Sequence, residues 1–422
     1  MILRFFYSLV FYSSLPLIVG RLLWRSVQAP AYRERVAERF GFYRYKPDHP
    51  VLWFHAVSVG EAEAAFPLIK RIQSEFPRKK ILVTTTTPTG SARVRAVLGD
   101  SVEHVYLPYD VPDAIARFFA SFRPELAVIM ETEIWPNLFT ACAAADIPLF
   151  IVNARLSEKS ARGYRKIPLL IEPALSCVSG IAAQTQQDAD RFVAIGANPG
   201  RVQTVGNLKF DLDVDRSLFE QGQRIKRQLF ADRFVWIIAS THKDEESLFL
   251  SLYPELKAAI PDLLMVIVPR HPERFAEVGR LLKDCGLQFS TRSSGLRCFD
   301  ETDVYLLDTI GELKLFYTAS DLAFVGGSMV RSGGHNILEP AALGVPVMFG
   351  PYMDNFSEIA AKVLSCHAAL QCSDRDDIAK AVLDLYRSPT RRGDLIDAGS
   401  KFVASNKGAL EQIAQMLIQK LH

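Results

Sequence analysis

Apolar residues recur along this chain in short unbroken runs separated by amphipathic segments. Val51–Ala56, Ile81–Thr85, His104–Tyr106, Leu126–Met130, Leu149–Val152, Ile181–Ala183 and Val202–Val205 predict strands, with helical patterns between most of them. Apolar runs of this kind suit parallel strands whose two faces are both covered by crossover helices. A weakly patterned, charged helix near Leu212–Leu229 comes next, and then a second alternating unit. Its strands are predicted at Phe234–Ala239, Leu263–Val268, Val304–Leu307, Leu322–Val325 and Cys366–Ser373, followed by helices from about Arg375 to Leu421. The stretch Phe324 to Phe356 reads as strand, glycine-rich loop, short helix Ile337–Leu343, strand and loop. The pattern divides the chain into an apolar helix (1–28), a first α/β domain (29–211), a second (212–385) and C-terminal helices (386–422) expected to cross back to the first.

The amino terminus is uncharged from Phe5 to Gly20, short of the ~20 residues that cross a bilayer comfortably. Continuing through Trp24, with Arg21 snorkelling, reaches that length. Arg21, Arg25, Arg33, Arg35 and Arg39 follow the run and only Arg4 precedes it, so the bulk of the chain is expected on the cytoplasmic side. A cleaved signal peptide fits worse: Val27-Gln28-Ala29 is followed by Pro30, and the arginines lie on the wrong side for export. A buried core helix would not need Phe, Tyr and Trp all round, which suits an interface. The segment is expected to be a membrane anchor, spanning or monotopic, and the basic, aromatic stretch after it suits anionic inner-membrane lipid.

Composition narrows the classes. At 49% hydrophobic and 23% charged, the chain can bury sizeable cores, and a net charge of +2 leaves no nucleic-acid footprint. Cys142, Cys177, Cys285, Cys298, Cys366 and Cys372 form no CxxC pair or zinc-type cluster and read as reduced thiols.

In parallel sheets function gathers at the carboxyl ends of strands. Glu61 sits at such an end, just after Gly60 in the first turn of a helix. It can complement the helix dipole, or act as a general base at a cleft. Thr84 to Gly90 is hydroxyl-rich and can bind polar groups or cap a helix. Glu131 and Glu133 follow an apolar strand; if extended they point to opposite faces, so at most one serves a cleft. Lys209 leaves a strand at the edge of the interdomain linker. In the second domain Arg270 can pair with a phosphate or carboxylate. The backbone of Ile310-Gly311-Glu312 can hold a base, with Glu312 as a helix cap. Gly326, Gly327, Gly333 and Gly334 permit close approach and positive φ. Asn336 is a good N-cap, free amides at the helix start suit a phosphate, and Glu339 can accept hydrogen bonds from ribose hydroxyls.

Two such halves facing a central cleft, with an apolar anchor helix, resemble the GT-B class of glycosyltransferases, an α/β fold of two Rossmann-like domains. The motifs HAVSVGE, TTTTPTG, LPYD, METEIWPNL, NARLS, GNLKFD, STHKDEE, VPRHPERF, GELKLFY and FVGGS…GGHNILEPAALGVPVMFGP are similar, in order and over nearly the whole chain, to those of the 3-deoxy-D-manno-octulosonic acid (Kdo) transferases of lipopolysaccharide synthesis. The resemblance implies a CMP-Kdo donor, a tetra-acylated lipid A precursor (lipid IVA) as acceptor, and inversion. It implies Glu61 as the base, and Glu131 and Lys209 as transition-state support. It also implies CMP contacts from Pro269, Arg270, Ile310, Gly311, Glu312, Asn336, Ile337, Leu338 and Glu339. One departure is Asn207, where the family motif often carries a serine. No metal or cofactor is expected: CMP leaves with a single phosphate, and the one DxD-like triplet, Asp211 and Asp213, falls in the proposed linker. The alternatives are a nucleotide-sugar 2-epimerase, another lipid glycosyltransferase using UDP-sugars, and a non-catalytic membrane-tethered nucleotide sensor. The apolar anchor, CMP against UDP competition, and a product assay separate these in turn.

Overall fold

The computed structural model describes residues 2–212, 215 and 217–421. They form two compact units: the chain up to Asp211 together with the residues from Asn406 onward, and Leu212–Ser405. Asp213 lies outside the described residues.

The first unit is built on strands β1 (Val51–His55), β2 (Lys80–Thr85), β3 (Glu103–Tyr106), β4 (Pro124–Met130), β5 (Leu149–Ala154), β6 (Gly180–Ala183) and β7 (Val202–Thr204). They pair in the order β3-β2-β1-β4-β5-β6-β7, and every pairing is parallel. The pleat sends alternate residues of each apolar run to opposite faces. Val51 and Trp53 enter one core with Phe118, Phe122 and Phe139; Leu52 and Phe54 enter the other with Ile69, Met130 and Val152. The second core also takes Ala409, Ile413, Ala414 and Leu417 from the last helix, Ala409–Ile418.

The second unit carries β8 (Phe234–Thr241), β9 (Leu263–Pro269), β10 (Phe289–Thr291), β11 (Val304–Leu306), β12 (Leu322–Val325), β13 (Val347–Phe349) and β14 (Leu370–Gln371). Their order is β10-β11-β9-β8-β12-β13-β14, again all parallel. Trp236 and Ile238 face one core; Val235 and Ile237 face the other. The edge strand β10 was not expected from sequence, because it is three half-buried residues with two hydroxyls and no apolar run. The expected strand Cys366–Ser373 shortens to β14, where only Leu370 and Gln371 pair, because Cys366 caps the preceding helix Ser357–Ser365 and His367 turns at φ +54°. The linker helix runs Ser217–Leu229.

Chain direction across each sheet reverses once, between β1 and β4 in the first unit and between β8 and β12 in the second. At these switch points the loops leave in opposite directions and open a crevice at the carboxyl ends of the strands.

Asp211 closes the first unit. Its carboxylate accepts the N–H of Gly408 at 2.7 Å and of Leu410 at 2.8 Å, so it caps the last helix from across the chain. Asp211→Ala should cost about 1–2 kcal/mol by urea denaturation, the usual loss for a helix cap.

Candidate active site

In the first unit β1 ends in Ala56-Val57-Ser58 and the helix Val59–Glu75 begins. Glu61, in its first turn, bends back to the loop: Val57 N–H donates to Oε2 at 2.8 Å and Ser58 Oγ to Oε1 at 3.1 Å. This is a variant of the capping box, with the carboxylate reaching the residue before the cap. Burial pushes the Glu61 carboxyl up to about 7. The Val57 N–H opposes that shift, and the charges of Glu131 and Glu133 add to it. Glu133 is likewise raised to about 7, by burial first and by Glu131, against a hydrogen bond with Trp135.

Sequence alternation allowed at most one of Glu131 and Glu133 to serve this place. That alternation holds for an extended segment, and Glu131, with φ of +56°, is not extended. A left-handed, non-glycine residue at a strand end costs roughly 1–2 kcal/mol and breaks the up-down alternation. Both charges therefore bear on Glu61.

Lys209 lies in the turn Leu208–Phe210 after β7, packed on the helix that carries Glu61. A ladder of side-chain amides fixes that turn. Asn153 Oδ1 accepts Leu208 N–H at 3.0 Å, and Asn207 Oδ1 accepts Lys209 N–H at 2.9 Å. Asn207 Nδ2 donates to Gln184 Oε1 at 2.8 Å, and Gln184 Nε2 donates to the Asn153 carbonyl at 2.9 Å. Asn207 can both accept and donate across this span; a serine hydroxyl is shorter. The hydroxyl-rich loop serves locally: Thr87 accepts Gly90 N–H and caps the helix Pro88–Leu98.

In the second unit the glycine-rich loop leaves β12 beside the end of β8. Gly326 has no room for a Cβ, which would stand 2.8 Å from the Ser240 carbonyl oxygen. Gly327 turns at φ +66°. The buried carboxylate of Glu245 holds the loop: it accepts N–H groups from Gly327 (2.7 Å), Ser328 (3.1 Å), Met329 (2.9 Å) and His242 (2.9 Å). Burial raises its pKa and these four donors oppose the rise.

The helix after the loop is Leu338–Ala342, only five residues, and not Ile337–Leu343. Ile337, not Asn336, takes its N-cap position, while Asn336 Oδ1 accepts Leu338 N–H at 3.0 Å. The amides of 327–329 are already bound to Glu245. What the loop presents instead is side chains. His335 stacks on His242 at 5.1 Å and 10°, with Nε2 atoms 2.8 Å apart, and His271 meets His242 edge-on. Burial, then the charges of Arg270, His242 and His271, push His335 down to about 3. Arg270 is exposed just beyond buried Pro269 at the end of β9, its N–H bonded to the Thr241 carbonyl at 3.0 Å. Ile310 is 76% exposed and Gly311 turns at φ +89°. Glu312 does not cap its helix; it is fastened to Arg292 at 2.7 Å and to Thr309, and the Arg292 bond lowers its pKa. Buried Ile337 and Leu338 anchor the short helix, and Glu339 lies beside buried Tyr317. Among the described residues no group of three His, Cys, Asp or Glu is arranged to hold a metal ion.

Sequence reasoning missed Glu245 and the His242–His335 pair. The available signal was Glu245-Glu246 following a buried strand end, but three of the four donors to Glu245 come from 82 to 84 residues away. Glu245→Ala strands four N–H donors and should cost about 3 kcal/mol, read as a lower midpoint for the second unit in denaturation.

Comparison with known proteins places this geometry. Residues 34–212 match the family model of 3-deoxy-D-manno-octulosonic-acid transferase (kdotransferase). The chain is 42% identical over 417 residues to a 3-deoxy-D-manno-octulosonic acid transferase of Haemophilus influenzae, covering 98% of each. It is 35% identical over 376 residues to that of Bordetella pertussis, covering 87% of this chain and 86% of the relative. Its fold resembles UDP-GlcNAc 2-epimerase from Neisseria meningitidis, with a TM-score of 0.55 at 16% identity, covering 88% of this chain and all of that one. That likeness concerns the fold alone; the near full-length identity to the two transferases concerns the family. The chain belongs to the 3-deoxy-D-manno-octulosonic acid (Kdo) transferases and is a glycosyltransferase.

Proposed function

We propose that this enzyme transfers Kdo from CMP-Kdo to the tetra-acylated disaccharide precursor of lipid A, at the cytoplasmic face of the inner membrane, with inversion and with Glu61 as base. The observation that carries the reading is the state of Glu61. It is held by one N–H and one hydroxyl at a switch point, and burial and two neighbouring carboxylates poise it at about 7. A carboxylate so poised is basic enough to take a proton from a primary hydroxyl and still ionised near neutral pH.

The first unit binds the acceptor. Glu61 takes the proton as the acceptor oxygen attacks the anomeric carbon of Kdo, and CMP departs with the bonding pair. Glu131 and Lys209, held at the ends of β4 and β7, support the charge that shifts in this displacement. The second unit binds the donor. Arg270 meets the phosphate, the Ile310–Glu312 backbone meets the base, and Asn336–Glu339 meet the ribose and its neighbourhood, with Glu339 as acceptor. Glu312 contributes through its backbone, because its carboxylate is fastened to Arg292. The charge on the departing phosphate is met by side chains rather than by a helix dipole, since the adjacent helix has a single turn. The apolar helix Ile2–Gln28 keeps the enzyme near its lipid-embedded acceptor.

The test is a mass-spectrometric transfer assay with CMP-Kdo generated in place and the tetra-acyl disaccharide in detergent. A mass gain of one or more Kdo units is expected; no gain with CMP binding intact would point to another acceptor. Glu61→Gln should lower kcat by roughly 10²–10⁴-fold while calorimetric CMP affinity is kept, and full turnover would remove Glu61 from the role. Because the raised carboxyl is protonated below about 7, kcat/KM should fall with pH on the acid side of that value, about tenfold per unit. Arg270→Ala should weaken CMP about 10–100-fold.

A further inference from the structure

The helix Ile2–Gln28 turns several of its polar groups inward, among apolar ones such as Leu22: Ser8 and Ser26 are buried, and Arg4 and Tyr7 half-buried. Ser8 Oγ accepts from Asn137 Nδ2 at 3.0 Å, Tyr7 bonds to Asp110, Tyr12 donates to Asp113, and Arg33 Nε donates to Ser26 Oγ at 2.8 Å. The exposed positions are mostly apolar, with Phe5 66%, Leu17 77% and Trp24 68% exposed, and they also carry Ser13, Arg21 and Arg25, whose long arginine stems let the charged heads reach headgroups. The same helix packs on the helix Pro168–Ser176, whose leading end also presents apolar groups, with Ile167 43% and Leu169 74% exposed. Cations flank that end. Arg162, Arg165 and Arg191 converge on one carboxylate, Glu158, and Lys159 and Lys166 are exposed beside them.

From this we infer that the outer face of helix Ile2–Gln28 and the Ile167–Leu169 apex together dock on an anionic phospholipid surface, with the helix lying in the interface and not crossing the bilayer. This rests on the membrane-anchor reading above. A crossing helix needs ~20 residues surrounded by hydrocarbon. Here the first half of the helix is fastened to Asp110, Asp113 and Asn137, and carrying those groups into the bilayer centre is costly. Pulling the helix away instead would break the bonds to Asp110, Asp113 and Asn137 and leave the polar groups of Asp110 and Asn137 without those partners. In the interface both demands are met: the polar face stays on protein, the aromatic and aliphatic face enters the acyl boundary, and the surplus cations meet anionic headgroups.

Two measurements test it. In a protein whose Cys177, Cys285 and Cys366 are changed to Ser, Ile2→Cys and Lys401→Cys are made singly and probed with a membrane-impermeant maleimide in sealed membrane vesicles. Labelling of both from the same face is expected; labelling of Ile2→Cys from the opposite face alone would mean the helix crosses, which overturns this inference and leaves the anchor reading standing. Separately, Ile167→Glu with Leu169→Glu should lower partition onto phosphatidylethanolamine vesicles containing phosphatidylglycerol by roughly tenfold, with unchanged circular dichroism and CMP affinity. The milder pair Ile167→Ser and Leu169→Ser guards against misfolding. Wild-type partition in both pairs would overturn the role of the apex. No partition by the wild-type protein would overturn both this inference and the anchor reading.

Discussion

The placement of the glycine-rich loop depends on the carboxylate of Glu245, which sits under the second sheet's switch point and accepts four backbone N–H groups. Three of these donors belong to consecutive loop residues that would otherwise face inward unpaired, and a buried unpaired N–H is costly. The carboxylate satisfies the loop, and the loop offsets the desolvation of the carboxylate. With the amides of 327–329 so committed, the side chains of His242 and His335 stack beside the loop.

The first unit places a half-buried carboxylate at the equivalent point of its own sheet and surrounds it differently. Glu61 has one N–H donor and one hydroxyl in place of four N–H groups, and the charges of Glu131 and Glu133 add to its raised pKa. The outcome follows from counting donors and charges: Glu61 is left poised near neutrality, where a proton can be gained or lost. One fold thus uses the same chemical group as a structural tie in one half and as a candidate base in the other. Glu131, whose charge adds to the raised pKa of Glu61, has a left-handed φ that carries local strain.

Polar partners also decide how the amino terminus sits. Hydropathy alone describes Ile2–Gln28 as apolar and long enough to cross a membrane. The hydrogen bonds of Tyr7, Ser8, Tyr12 and Ser26 assign it a protein face and a bare face, a distinction absent from a sum over residues.

Much of the fold was legible in the sequence, because apolar runs of parallel strands need no alternation to be recognised and each run here became a strand near its expected place. Glu61, Glu131, Lys209 and Arg270 were legible as residues following strands, and Asn336 as a residue at a helix start, since glycines, threonines and prolines punctuate those places. What the sequence could not carry was anything that depends on partners distant along the chain. The tie from Glu245 to residues 327–329, the fastening of Glu312 to Arg292, the Asn153–Gln184–Asn207 ladder and the joint action of Glu131 and Glu133 on Glu61 all arise where separate strand ends meet. Local periodicity determines which residues are buried and which end a strand; only the order of strands in the sheet decides which strand ends become neighbours, and with that which charges are satisfied and which remain poised.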